Sequence, residues 1–251
     1  MSNVITDEFL LKKYPLRGQV HFRDQLITLP LIYKGRGFTC VFPISYKKAR
    51  ELMDLHGVQP VKFLPTKSLL SVTVFDYHKS PVGPYTELAY AIPTFLSVRI
   101  NLPLLPILFY KFSRKFGFYV IDLLQSTQIA IDHGTLINGY PHNNALVNCT
   151  FTNDNNNFSV RVDNNDKEIL TIFGSKGESK KRVRESYRTY FKKNSHLSHI
   201  EMDVYGLKQK VNGCSLHIGD NKLSNMIRGI DISQKPLMSE YYSDLVEVLI
   251  S

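Results

Sequence analysis

Residues Ser71–Pro93 read SVTVFDYHKSPVGPYTELAYAIP, and residues Tyr119–Asn143 read YVIDLLQSTQIAIDHGTLINGYPHN. The first opens inside a run from Lys67 to Tyr77, and the second lies largely inside a run from Phe118 to Ile131. Both runs, like Gly37 to Pro43 upstream, are rich in Val, Ile, Phe, Thr and Tyr and bounded by turn residues, which predicts strands. Between Gly37–Pro43 and Lys67–Tyr77, Ser45 reads as an N-cap, Ala49, Leu52, Met53 and His56 follow at helical spacing, and Gly57 is the stop. From Asn148 to Ile172, strand-like runs flank the turn clusters Asn153–Asn157 and Asn164–Asp166, predicting hairpins. Val183, Tyr187, Tyr190 and Phe191 fit a helical period, yet Ser186–Phe191 reads equally well as a strand, and periodicity alone leaves both open. The chain end predicts a helix with Tyr241, Leu245, Val248 and Leu249 on one face, covering the sheet. No linker, repeat or low-complexity tract divides the chain, so residues 1–251 are read as one α+β domain.

The composition sets bounds on function. With 251 residues, 43% hydrophobic and 21% charged, the chain is an ordinary globular sequence and not a disordered one. The three cysteines, Cys40, Cys149 and Cys214, are too few and too far apart for a disulfide framework or a paired zinc site, which fits a reducing cytoplasm. The opening MSNVITDEFLLKKY has acids where a signal peptide needs bases and lacks an apolar core, so export is not expected, and the glycosylation triplets at Asn148 and Asn157 carry no meaning. The apolar window Leu88–Tyr110 is interrupted by Pro93, Arg99, Asn101, Pro103 and Pro106, which a spanning helix would not tolerate.

The net charge of +9 is concentrated locally, because Lys176 to Lys193 holds eight basic residues against two acidic ones. Tyr187, Tyr190 and Phe191 interleave with those charges as stacking residues do in single-strand binders. A charge run is more often a solvated face, so nucleic acid is kept only as a distant alternative. His196 and His199 lie three apart, but no third ligand accompanies them, and no metal is expected. Walker A, GxGxxG, HExxH and GxSxG motifs are all absent, and no cofactor is implied.

The two quoted stretches together resemble acetoacetate decarboxylase and its superfamily. Ser71–Pro93 is similar to the family's strand, loop and YTE-type turn, here Tyr85-Thr86-Glu87, followed by the AIP at Ala91–Pro93. Tyr119–Asn143 is similar to the strand pair that runs through a glycine into the family's Tyr-Pro-Lys-Lys site, and Arg36–Arg50 resembles its N-terminal strand and helix. The resemblance implies a mostly β fold of the α+β class: a large curved antiparallel sheet closing into a cone or barrel, with a few covering helices and a cavity for a small carboxylated or carbonyl ligand.

Carried over residue by residue, Arg36 falls on the substrate-region arginine, Glu87 on the glutamate of the YTE turn, and Tyr140 and Pro141 on the residues before the reactive lysine. The lysine position itself is His142 and its neighbour is Asn143, and a second family glutamate near Val72 or Thr73 is missing. An imidazole cannot form the stable iminium that a desolvated lysine amine forms, so Schiff-base decarboxylation is not expected. The resemblance instead implies His142 and Glu87 as an acid–base pair, with Arg36, Tyr140 and Asn143 on the substrate side. Such a site would hydrate, dehydrate, enolise or isomerise a small oxo acid, as a lyase or isomerase. The alternative is a small-molecule binder or scaffold without turnover. An apolar insertion at about 97–115 is read as a subunit contact of a homo-oligomer, a lid, or a membrane-surface anchor, in that order.

Overall fold

A computed structural model of the chain describes residues 5–53, 57–96, 103, 115–141, 144–154 and 156–250. Helix α1 (Asp7–Lys13) starts where the Thr6 hydroxyl accepts from the Phe9 N–H, and it carries acids in its first turn and lysines in its last, which complements the helix dipole. A small hairpin, β1 (Gly18–Phe22) with β2 (Gln25–Leu29), follows. The main sheet is built from β3 (Leu31–Ser45), β4 (Val58–Pro60), β5 (Lys67–Lys79), β6 (Tyr85–Leu96), β7 (Phe116–Gln125), β8 (Asn148–Asn153), β9 (Asn157–Asn164), β10 (Lys167–Lys193), β11 (His196–Ile218) and β12 (Met238–Ile250). The helices between them are α2 (Tyr46–Met53), α3 (Gln128–His133) and α4 (Asn225–Arg228).

The hydrogen-bonded order β11-β12-β3-β5-β6-β7-β10 returns on itself, because β10 also pairs with β11. Every pairing in this ring of seven strands is antiparallel except the seam, where β10 meets β7 in parallel at Thr189↔Phe118 and Tyr190↔Tyr119. Strand β10 makes closure possible by its length: its first part, from Lys167 to Ser175, pairs with β9, and its later part joins β7. Two-residue turns set the long hairpins. Asn165 and Asp166 between β9 and β10, and Asn194 and Ser195 between β10 and β11, all take positive φ, the pattern that suits right-twisted strands.

Alternation along the strands creates two environments. Even-numbered residues of β3 and β5 (Phe38, Cys40, Phe42, Val72, Val74) pack with Leu88 and Tyr90 of β6 against β9, the start of β10 and the buried Ala49 and Met53 of α2. Odd-numbered residues of the same strands face into the ring, where Tyr33, Tyr77 and Tyr85 join Phe22, Ile27 and Ala130 in a second cluster. Strand β12 keeps its cavity-facing side by a bulge: Met238, Glu240 and Tyr242 line the interior before the register shift between Tyr242 and Leu245, and Leu245, Glu247 and Leu249 after it.

Several expectations need correction. The chain end is strand β12, not a helix, because Tyr241, Leu245, Val248 and Leu249 pair with β11 and β3 along the whole segment. Ser186–Phe191 resolves as strand. The Phe118–Ile131 run ends as a strand at Gln125, since the Thr127 hydroxyl accepts from the Ala130 N–H and starts α3. Tyr190 and Phe191 are buried and Tyr187 lines the ring interior, so these aromatics do not form an exposed stacking surface beside the basic run. His196 and His199 sit exposed on a strand, and among the described residues no three His, Cys, Asp or Glu side chains group as metal ligands. No helix among the described residues is long and apolar enough to cross a membrane. The insertion at about 97–115 lies outside the described residues apart from Pro103 and Lys115.

Candidate functional site

The ring encloses a cavity of about 210 Å³. This is below the range of about 300–1,000 Å³ usual for drug-sized ligands and leaves room only for a small molecule. Glu87 on β6 lies in it and is only 8% exposed. The Gln125 side-chain amide and the Tyr85 hydroxyl donate to its carboxylate. Burial outweighs those two bonds and raises the Glu87 pKa from 4.5 to about 7.

A second carboxylate shares the cavity. Glu247 on β12 is 4% exposed and accepts from the Tyr77 hydroxyl at 2.6 Å. Burial first, and then the charge of Glu87, raise its pKa to about 8. The resemblance had looked for a second glutamate near Val72 or Thr73. Thr73 does line the cavity, with its hydroxyl 3.1 Å from that of Thr39, but the second acid comes from the far end of the sequence.

The aromatic wall is laid down by cross-strand register. Tyr77 is paired with Tyr85, their rings 5.1 Å apart, and Tyr33 packs on Tyr77 at 5.3 Å. Burial is the leading cause that raises all three hydroxyl pKa values, so these groups stay protonated donors at neutral pH. The end of α3 supplies His133, and a π-helical turn (Gly134–Asn138) brings Asn138 to the cavity. Gly139 then reverses the chain at φ +77°, a conformation that favours glycine. Tyr140 follows at the cavity wall, its hydroxyl 2.6 Å from that of Thr189 on β10.

Of the residues selected from sequence, Glu87 and Tyr140 therefore come together. His142 and Asn143 lie outside the described residues. Arg36 is a correction: it does not line the cavity. It is directly opposite Asp76 on β5 and pairs with it, both Nε and Nη2 lying 2.8 Å from Oδ2, while its guanidinium stacks over Phe151 at 4.7 Å. The reason is strand parity, since Tyr33, Thr39 and Val41 point inward and Arg36 belongs to the other face. Lys79 on β5 is exposed and lies 3.7 Å from Asp7. Glu247, Gln125 and His133 were missed. The signal for Glu247 is a charge between Leu245 and Leu249 at strand spacing, which a helical period over the same residues hides.

A ring of seven strands around a small cavity of buried acids and tyrosines defines a protein of acetoacetate decarboxylase fold. Solved structures similar to it include an acetoacetate decarboxylase, at a TM-score of 0.60 and 14% identity over 88% of this chain and 86% of that one. A second is the acetoacetate decarboxylase of Legionella pneumophila, at 0.59 and 12% over 88% and 84%. A third is the enduracididine biosynthesis enzyme MppR complexed with pyruvate, at 0.57 and 10% over 88% of each chain. No family model matches the sequence, and no curated protein is significantly similar to it.

Proposed function

We propose that the protein binds a small carbonyl compound in the ring cavity and that Glu87 moves a proton to or from the carbon beside the carbonyl, without a Schiff base. The observation that carries this is the Glu87 carboxyl itself. With its pKa at about 7, it is present in both forms near neutral pH, the condition under which a general acid or base is most effective. The neutral Tyr33 hydroxyl, which accepts from the Asn138 side chain and lines the same cavity, is a donor for an oxygen that gains charge as an enolate forms. The small carbonyl class is supported by the neighbours of the same fold, one of which is complexed with pyruvate. Enolisation is the simplest outcome, and hydration, dehydration or isomerisation would draw on the same groups. His142 and Asn143 belong to this proposal as a second proton-transfer group and a ligand contact.

The test is solvent deuterium exchange at the α-carbon of acetone, pyruvate and acetoacetate, followed by NMR. Exchange should rise with pH through about 7, as the base form of Glu87 fills. Glu87→Gln should reduce it by a factor of about 10²–10⁴. Borohydride added with acetoacetate should leave the protein mass unchanged, since no lysine among the described residues lines the cavity. Exchange in Glu87→Gln at the wild-type rate would sink the proposal, and binding of the panel without exchange would identify the non-catalytic binder.

A further inference from the structure

The cavity has a charge pattern that proton transfer at Glu87 does not explain. Three carboxylates line it, those of Glu87, Glu240 and Glu247, and among the described residues no lysine or arginine does. Glu240 is offset by Lys208 at 3.2 Å, a lysine outside the lining that also binds Glu185 at 2.9 Å. Among the described residues Glu87 and Glu247 have no such cation; they are held by neutral donors, Gln125 and Tyr85 for the first and Tyr77 for the second.

The tyrosine donors nearest the two acids are already engaged. The hydroxyls of Tyr77, Tyr85 and Tyr140 already engage Glu247, Glu87 and Thr189. Gln125 is 2% exposed, and with its amide nitrogen committed to Glu87, its carbonyl oxygen is buried at the cavity with no hydrogen-bond partner among the described residues. A buried acceptor left unpaired costs free energy that a ligand N–H would recover. A carboxylate ligand would add two more acceptors and oppose release of the protons that Glu87 and Glu247 hold, whereas a cation would favour the ionised form of both, and the residue expected to receive a carboxylate, Arg36, is bound to Asp76 on the other face of the sheet.

We infer that the cavity selects a small ligand whose polar head is a cationic N–H donor, such as an amidinium or ammonium group, over a carboxylate of the same shape. Glu87, Glu247 and the Gln125 carbonyl are the acceptors for that head. This rests on the reading of the cavity as the ligand site, and not on any proton transfer there.

Isobutyramidinium, isobutyramide and isobutyrate share one shape and carry charges of +1, 0 and −1, so titrating each into the full-length chain by calorimetry isolates charge. The amidinium should bind at least tenfold more tightly than the amide, and the carboxylate more weakly than either. Glu247→Gln should reduce the amidinium-to-amide preference at least fivefold, and a melting temperature at pH 4.5, where Glu247 is protonated, close to that of the wild type reports that the variant is folded. Isobutyrate binding as tightly as the amidinium would overturn the inference, and so would no binding of any of the three. If deuterium exchange at Glu87 persists in either case, the charge preference alone has failed and the proposed function stands.

Discussion

Glu87 and Glu247 make the stability of this protein depend on pH in a direction opposite to that of a salt-bridged acid. Each carboxyl has an ordinary pKa of 4.5, and burial raises it to about 7 and about 8 in the folded chain. Between those values the native state holds protons that the unfolded chain has released. Their stabilising contribution is thus complete below about 4.5 and is lost as pH rises through 7 to 8. At about 1.36 kcal/mol per pKa unit, Glu87 alone is worth on the order of 3 kcal/mol across that span. Glu87→Gln keeps the shape and removes the titration, so its melting temperature should exceed that of the wild type at pH 9 and match it closely at pH 4.5. Calorimetry at the two pH values decides the matter, and a difference independent of pH would show that Glu87 is not a buried acid. Glu87 was legible in the sequence because the Tyr85-Thr86-Glu87 motif marks it, although those residues open strand β6 and form no turn. Glu247 was not, because the apolar residues around it satisfy a helical period as readily as a strand period.

At the level of elements, the segment from Thr127 to Tyr140 is the most consequential connection. A capped helix, a π-helical turn and a left-handed glycine carry the chain from the end of β7 back to the cavity wall. The β-favouring residues continue past Gln125 to Ile131, but the Thr127 cap overrides them and starts a helix. Gly139→Ala tests the turn. A side chain at φ +77° costs about 1–2 kcal/mol, and its Cβ would meet the Lys193 side chain at 2.8 Å. The variant should melt about 2–8 °C lower, at about 2–4 °C per kcal/mol for a chain of this size. Hydrogen exchange should rise first across 134–140. An unchanged melting temperature would mean that Gly139 does not hold Tyr140 at the wall.

At the scale of the whole molecule, closure of the ring depends on how closely β7 approaches β10. Gly117 lies at that seam, where an added Cβ would be 2.2 Å from the Arg188 carbonyl oxygen and 2.6 Å from the Tyr190 ring. The obstacle on one side is backbone, which cannot rotate away. Gly117→Val should therefore cost about 3 kcal/mol, at the upper end of overpacking penalties, and weaken ligand binding by loosening the cavity wall. Lys181→Ala, on an exposed stretch of β10, should leave both within about 0.5 kcal/mol of wild type. Equal melting curves for the two variants would show that the parallel seam contributes little to the fold.

The sequence by itself determined what is local or compositional: a mostly β chain of ordinary globular composition, the α2 helix behind Ser45, the Asn-rich hairpin turns, and a resemblance strong enough to anticipate the fold. The helix and the turns depend on residues within a turn or two of one another. Only the tertiary structure decided which side chains meet. Arg36 and Glu87 both lie on strands of the ring, yet one faces outward to Asp76 and the other inward, and the choice follows from register against strands distant in the chain. Glu247 faces the cavity because a bulge between Tyr242 and Leu245 keeps the interior side of β12 continuous, an irregularity expressed only when β12 is laid between β3 and β11. A one-residue change of phase exchanges the two faces of a strand, so the membership of this site was decided by long-range pairing, with local residue patterns compatible with either face.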